Sequence, residues 1–306
     1  MGPTAAGKTA TAMTLFDHLP IGLISVDSAQ VYCHLDIGSA KPSVDELARY
    51  PHALINLREP EDTYSAADFV NDAEAAILAF NRQGRLPVLV GGTVLYYRAI
   101  LYGLDALPAA DPALRATLTA RAERDGWEVL YAELQQRDPV GASVIRPADR
   151  QRILRGLELL ALTGRGPGHL HSHNRFPRFQ ALRLVLTPAD RSQLHARIDQ
   201  RLQVMFSAGF VDEVRGLRQR PGLSADSPAM RAVGYRQVWR YLDGEGNLAD
   251  CRHKALAATR QLAKRQLTAL RQFGGTLWYD SVSRATPNRV LERVSAFITQ
   301  SRRAAG

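Results

Sequence analysis

The first nine residues, Met1-Gly2-Pro3-Thr4-Ala5-Ala6-Gly7-Lys8-Thr9, hold a complete G-x-x-x-x-G-K-[ST] stretch, a spacing that serves to grip a polyphosphate. Gly2 and Gly7 let the backbone curl so that successive N–H groups face one anion. Lys8 adds a point charge, the Thr9 hydroxyl offers a ligand for Mg²⁺, and the following helix aims its N-terminus at the phosphates. Phosphate contacts are expected from Gly2, Pro3, Thr4, Ala5, Ala6, Gly7, Lys8 and Thr9. Asp27 is the next residue able to do chemistry. It closes the run Leu23-Ile24-Ser25-Val26-Asp27-Ser28, which reads as a parallel strand whose C-terminal edge faces a ligand crevice. A carboxylate there is placed to ligate metal or to act as a general base on an acceptor. Asp36, in Leu35-Asp36-Ile37-Gly38, reads as a structural turn carboxylate.

These residues need a frame. A phosphate loop normally follows a buried strand, yet only Met1 precedes Gly2, so the start of the chain is expected to be truncated or misassigned rather than the core to lack an element. Ala10, Ala12, Met13, Leu15, Phe16 and Leu19 still read as the helix that leaves such a loop. Pro87 to Thr93 reads as a strand, followed by a helix over 94–102. Leu182 to Thr187 and Thr276 to Asp280 read as two further strands. Strands alternating with helices predict an α/β fold, a phosphate-loop doubly wound parallel sheet with helical insertions. The stretches 105–176 and 202–275 carry only helical signals and are too long for simple crossovers. The expected division is a core of 1–104 with 177–201 and 255–306, a helical insertion at 105–176, and a helical lid-like segment at 202–254.

In the insertion, a helix over 149–161 presents Ile153, Leu157, Leu160 and Ala161 on one face, with Gly164 as its C-cap. In the helix that carries 259–267, Arg260, Lys264 and Arg271 fall within about 40° of one another. They flank an apolar face of Leu262, Ala263, Leu267, Leu270 and Phe273. Such a basic stripe suits a nucleic-acid phosphate backbone, and a solvated face would look the same.

The chain has 306 residues, 45% of them hydrophobic, and a formal charge of +9, which favours an anionic partner. Cys33 and Cys251 form neither a CxxC pair nor a Cys/His ligand spacing, which argues for a reducing compartment and against zinc. No leader and no apolar run of membrane-spanning length is read, so a soluble, cytoplasmic protein is expected. Where phosphate-loop hydrolases end the flanking strand in an acidic residue, this strand ends in Gly91-Gly92-Thr93, which disfavours a motor or switch ATPase.

Eight segments together resemble one family. They are GPTAAGKT at 2–9, SVDSAQVY at 25–32, DIGSAKPS at 36–43, YSAADF at 64–69, LPVLVGGT at 86–93, DRQRILRGLELL at 149–160, AVGYRQVWRYLDG at 232–244 and TRQLAKRQ at 259–266. The chain resembles the tRNA dimethylallyltransferases, also called tRNA isopentenyltransferases. The resemblance implies transfer of the dimethylallyl group from dimethylallyl diphosphate to the exocyclic amine of the adenosine 3′ of the anticodon, with tRNA and that diphosphate as partners and Mg²⁺ as cofactor.

It further implies that the loop grips the diphosphate leaving group, with Lys8 on the diphosphate and Thr9 on Mg²⁺ or a diphosphate oxygen. Asp27 is then the base that relieves the weakly nucleophilic amine of its proton. Ser28, Ala29 and Gln30 would read an extruded adenine, and Thr93 and Arg115 would lie near the reacting base. Gln151, Arg152, Ile153, Leu154 and Arg155, Arg231, Ala232, Val233, Gly234, Tyr235 and Arg236, and Thr259, Arg260, Lys264, Arg265 and Gln266 match regions that touch tRNA, the 202–254 segment included. The chain departs from the pattern at Cys33-His34, where the family usually has a basic residue and Gly. It lacks the C-terminal Cys/His finger of eukaryotic relatives, so a bacterial type is implied; a monomer is expected.

Arg191, Arg197 and Arg201 follow the third strand. Arg197 and Arg201 share a helical face and are expected to clamp diphosphate, with ion pairing to Asp199 as the alternative. His169, His171 and His173 lie in a Gly/Pro loop and read as solvated side chains, while Trp127, Trp239 and Trp278 read as core. A small-metabolite kinase would share the sheet and the arginine pair but would not need DRQRILR or AVGYRQ. A non-catalytic RNA-binding protein is the third reading.

Overall fold

A computed structural model of the chain describes residues 1–105, 107–170 and 176–305. It divides into two compact units, residues 1–101 with 178–306 and residues 102–177. The first unit begins with α1 (Lys8–His18), β1 (Ile21–Val26), α2 (Val44–Arg49), β2 (His52–Ala53), α3 (Ala66–Arg82), β3 (Leu86–Gly91) and α4 (Val94–Tyr102). The second holds α5 (Pro112–Asp125), α6 (Trp127–Arg137), α7 (Pro139–Ser143), α8 (Arg150–Thr163) and α9 (Pro167–Leu170). The chain then returns to the first unit through β4 (Arg183–Thr187), α10 (Arg191–Ser207), α11 (Phe210–Leu217), a 3₁₀ turn (Pro228–Arg231), α12 (Tyr235–Leu242), α13 (Leu248–Leu270), β5 (Thr276–Asp280) and α14 (Thr286–Ala305). Among the described residues no helix is long and apolar enough to cross a membrane.

All strand pairings are parallel, in the orders β2-β1-β3 and β4-β5. Every residue of β1 is buried, as a strand covered on both faces requires, and β1 pairs with β3 from Ile21↔Leu86 to Val26↔Gly91. That register puts Asp27 and Gly92 side by side at the C-terminal edge. A cavity of about 330 Å³, lined by Leu86 to Val90 and by Leu182 to Leu184, lies between β3 and β4. Met1 runs along β4 there, its amine donating to the Leu184 oxygen (2.8 Å) and its oxygen accepting from the Leu186 N–H (2.9 Å). A Cβ on Gly2 would sit 2.3 Å from the Leu186 oxygen, so only glycine lets the loop begin this close to β4.

Two expected boundaries fall inside continuous helices. The 201/202 boundary cuts α10 and the 254/255 boundary cuts α13, so residues 202–254 belong to the first unit. Their core joins Leu202, Phe206, Phe210, Val214, Tyr235 and Val238 to Val31, Tyr32 and Leu35. A smaller cluster of Ala5, Leu194, Ile198 and Ala263 pins the phosphate loop between α10 and α13.

In the second unit α8 ends on Gly164, left-handed at the C-terminus as the sequence predicts, and Asp149 caps its start by accepting from the Arg152 N–H. Ile153, Leu157 and Leu160 are buried, but Ala161 faces solvent and Glu158 is fully buried instead. Arg115 grips Glu158 through Nε and Nη2 (both 2.9 Å), Arg155 through Nη1 (2.5 Å), and the Asp111 N–H donates at 2.8 Å. Burial alone would raise this carboxyl, but those donors hold it below the usual carboxylate range. Removing Glu158 strips the acceptor from the Asp111 N–H and from two arginines that remain partly open to water, so Glu158→Ala should destabilise this unit by about 1–3 kcal/mol. Denaturant unfolding checks it; a change under about 1 kcal/mol would show the two arginines to be readily resolvated. Of the three tryptophans, Trp239 is buried, Trp127 is half-buried beneath Arg150, and Trp278 is 40% exposed, so the last is not core. It sits on β5, whose other flank has no strand among the described residues.

Candidate active site

The phosphate loop closes between Met1 on β4 and Gly7, the left-handed residue that opens α1. Among the described residues, the N–H groups of Ala5, Gly7, Lys8 and Thr9 have no acceptor in the protein, as the first turn of a helix leaves them. The Thr4 N–H is taken by Gln266 Oε1 (2.9 Å), and the same Gln266 amide donates to the Gly92 oxygen at 2.8 Å. One side chain on α13 thereby clips the loop to the end of β3. Arg197 braces the loop from the other side, its Nε donating to the Ala5 oxygen (2.9 Å). Lys8 Nζ donates to the Pro3 oxygen at 2.7 Å. Burial pulls the Lys8 ammonium down to about 8, against Asp27, which favours its charge, while Arg201 disfavours it. Arg201 is likewise lowered by burial and supported by Asp27.

Asp27 follows β1 and holds a tight turn: its Oδ1 accepts the N–H groups of Ala29 (2.9 Å) and Gln30 (3.4 Å). No donor reaches Oδ2 among the described residues. Thr93 stands opposite, Oγ1 accepting from the Ser28 N–H at 3.1 Å. These groups line a cavity of about 560 Å³, whose walls include Thr4, Ala5, Lys8, Thr9, Asp27 to Gln30, Thr93, Arg201, Arg231 to Gly234, Thr259, Arg265 and Gln266. The volume suits a small-molecule site. Basic groups stand at the loop, a carboxylate stands beside them, and apolar Leu95, Ile198, Met205 and Leu262 fill in between.

Several expected site residues do other work. The Gln30 amide is used within the protein, Oε1 accepting from Ser25 Oγ (3.0 Å) and Nε2 donating to the oxygens of Ser39 (3.4 Å) and Ala40 (3.2 Å), so it shapes the wall. Tyr235 is buried and its hydroxyl donates to Glu213 at 2.6 Å. Arg236 and Lys264 are exposed, and Arg260 is half-buried with an Nε lacking a partner. Arg115, Gln151, Arg152, Ile153, Leu154 and Arg155 all lie in the second unit. There Arg115 and Arg155 hold Glu158, Arg152 pairs with Asp149 (3.3 Å) and Ile153 is core.

Asp36 is structural as expected, paired with Lys41 at 2.6 Å. Arg191 bonds His195, and Asp199 accepts from Gln203 rather than from an arginine. His171 and His173 lie outside the described residues. His169 is described, and among the described residues no group of three or more His, Cys, Asp or Glu side chains could hold a metal. The sequence reading missed Gly38, Ser39 and Met205 in the cavity wall, although the segment at 36–43 was already singled out.

A parallel α/β sheet that carries a phosphate loop at its C-terminal edge, with a basic anion cradle opening into a cavity, defines a phosphate-loop nucleotide-type fold. The chain belongs to the IPP transferase family, whose model matches residues 30–273. It is 50% identical to a tRNA dimethylallyltransferase of Thiobacillus denitrificans, over 97% of this chain and 96% of that one. A tRNA dimethylallyltransferase of Stenotrophomonas maltophilia is also 50% identical, over 98% and 96%. Among solved structures, a tRNA isopentenylpyrophosphate transferase of Bacillus halodurans matches with a TM-score of 0.72 and 32% identity, covering 99% of this chain and 97% of that one. A eukaryotic dimethylallyltransferase crystallised while acting on tRNA shares the fold, with a TM-score of 0.79 and 24% identity over 98% of this chain and 78% of that one.

Proposed function

We propose that the chain transfers the dimethylallyl group of dimethylallyl diphosphate to the exocyclic amine of the adenosine 3′ of a tRNA anticodon, in the cytoplasm and as a monomer. The observation that carries this is one cavity holding both the cationic loop and Asp27. The adenine amine is a poor nucleophile because its lone pair is delocalised into the ring. As that pair forms the new N–C bond, the C–O bond to the diphosphate breaks and its electrons leave with the diphosphate oxygen. Lys8, Arg201 and the free N–H groups of the loop stabilise that developing charge. Asp27 Oδ2 takes the amine proton, and the turn held by Oδ1 fixes its direction.

Mg²⁺ fits this site: the Thr9 hydroxyl, in the cavity wall beside the loop, has no protein partner among the described residues and would hold it. One protein oxygen is too few for a cage, which suits a cation that keeps substrate oxygens and water. When bound, it would neutralise part of the diphosphate charge.

The deciding experiment is mass analysis of tRNA nucleosides after incubation with Mg²⁺ and the donor. A prenylated adenosine is expected. Steady ADP release with a small metabolite, and unmodified tRNA, would point to a kinase instead.

Two further results are expected. An anion in the loop restores the full charge of Lys8, so above about pH 8 binding of the donor takes up a proton. Its affinity should fall as pH climbs beyond 8, by at most about tenfold per unit. Calorimetry at pH 8.5 in two buffers of different ionisation enthalpy reads that proton, and identical heats would refute it. Replacing both Arg260 and Lys264 by Ala should weaken tRNA binding and lower the slope of log K against log salt by about 1–2. An unaltered slope would mark that stripe as a solvated face.

A further inference from the structure

Glu213, on α11, does not line the cavity, yet four donors converge on its carboxylate. Oε2 accepts the N–H groups of Asp36 (3.1 Å) and Ile37 (2.6 Å), and Oε1 accepts the Gly38 N–H (3.1 Å) and the Tyr235 hydroxyl (2.6 Å). Three successive backbone N–H groups form an anion-binding concavity of the kind that elsewhere holds phosphate. Here the protein fills it with its own carboxylate.

The consequences reach the cavity along two routes. The cradled loop continues into Ser39 and Ala40, whose carbonyl oxygens accept the Gln30 amide, and Gly38, Ser39 and Gln30 are cavity wall. Gly38 is pressed against α11 and α12 so closely that a Cβ would lie 2.1 Å from the Phe210 ring and 2.6 Å from that of Tyr235. Tyr235, for its part, begins α12 directly after Arg231 to Gly234, a second portion of the wall. The phosphate loop has separate braces, Gln266 and Arg197.

We infer that Glu213 is a positioning residue for the tRNA side of the reaction: its carboxylate fixes the 36–40 loop and the 231–235 turn against each other, so that the wall receiving the base is set independently of the diphosphate grip. The inference rests on the tRNA-prenylation reading and adds to it a residue that touches neither substrate.

Glu213→Gln keeps the shape but puts an NH₂ where backbone N–H groups need an acceptor. With dimethylallyl diphosphate and tRNA, this variant should raise the KM for tRNA about tenfold or more, as expected for a lost charge-assisted contact. The KM for the diphosphate should stay within about twofold, since its braces are untouched. Gln30→Met, which cannot bond Ser39 or Ala40, should produce the same split, and the double variant should lose less than the two single losses combined.

Should Glu213→Gln not fold, Tyr235→Phe, which removes one of the four donors, should give the same split at about threefold. Equal rises in both KM values, an unchanged KM for tRNA, or additivity with Gln30→Met would overturn the proposal. A wild-type chain that modifies no tRNA in this assay would instead remove the reading it rests on.

Discussion

Asp27→Asn is expected to lower dimethylallyl transfer by about 10²–10⁴-fold, the range lost with a positioned general base, while tRNA affinity changes by less than about threefold. The substitution is close to isosteric. Asn Oδ1 still accepts the Ala29 and Gln30 N–H groups, so the turn after β1 should survive. What disappears is the basic oxygen and the negative charge that supports Lys8 and Arg201. Single-turnover transfer with saturating tRNA separates the missing proton acceptor from any weakened donor binding. A loss smaller than about tenfold, or 1.4 kcal/mol, would take Asp27 out of the proton transfer.

Lys8→Met should be nearly as severe, at about 10²–10³-fold in turnover, because it deletes a half-buried charge at the loop that grips the departing diphosphate. Methionine keeps much of the stem that packs in the half-buried site, so the loop should persist on Gln266 and Arg197. The signature is a fall in turnover that excess donor does not repair, since the interaction strengthens as charge develops. Full recovery at high donor concentration would reduce Lys8 to a ground-state binding group.

Local patterns wrote much of this molecule plainly. The phosphate loop, the strand ending at Asp27, the helix over 94–102 and the Gly164 cap of α8 follow from spacing and residue type, because each is fixed by neighbours in sequence. β2 could not be read, since His52 and Ala53 are too few to show an alternation. The roles of Gln266 and Glu213 were equally hidden. Gln266 meets Thr4 across 262 positions, and Glu213 meets Ile37 across 176. Nothing near either residue in sequence foretells such a partner. Glu158 was invisible for a similar reason: a lone acid beside an apolar stripe reads as surface until Arg115, 43 positions away, comes to meet it.

That last cluster also bears on how a polyanion would sense the protein at a distance. Two guanidiniums closed over one carboxylate display a single surplus charge, and Arg220, held by both Glu59 and Glu61, belongs to a group whose balance is negative. The nominal +9 is therefore distributed unevenly, with some arginines muted by their partners. Long-range attraction should be governed by the cations left unmuted, so salt titrations of single-arginine variants ought to fall into two groups that a census of basic residues would never separate.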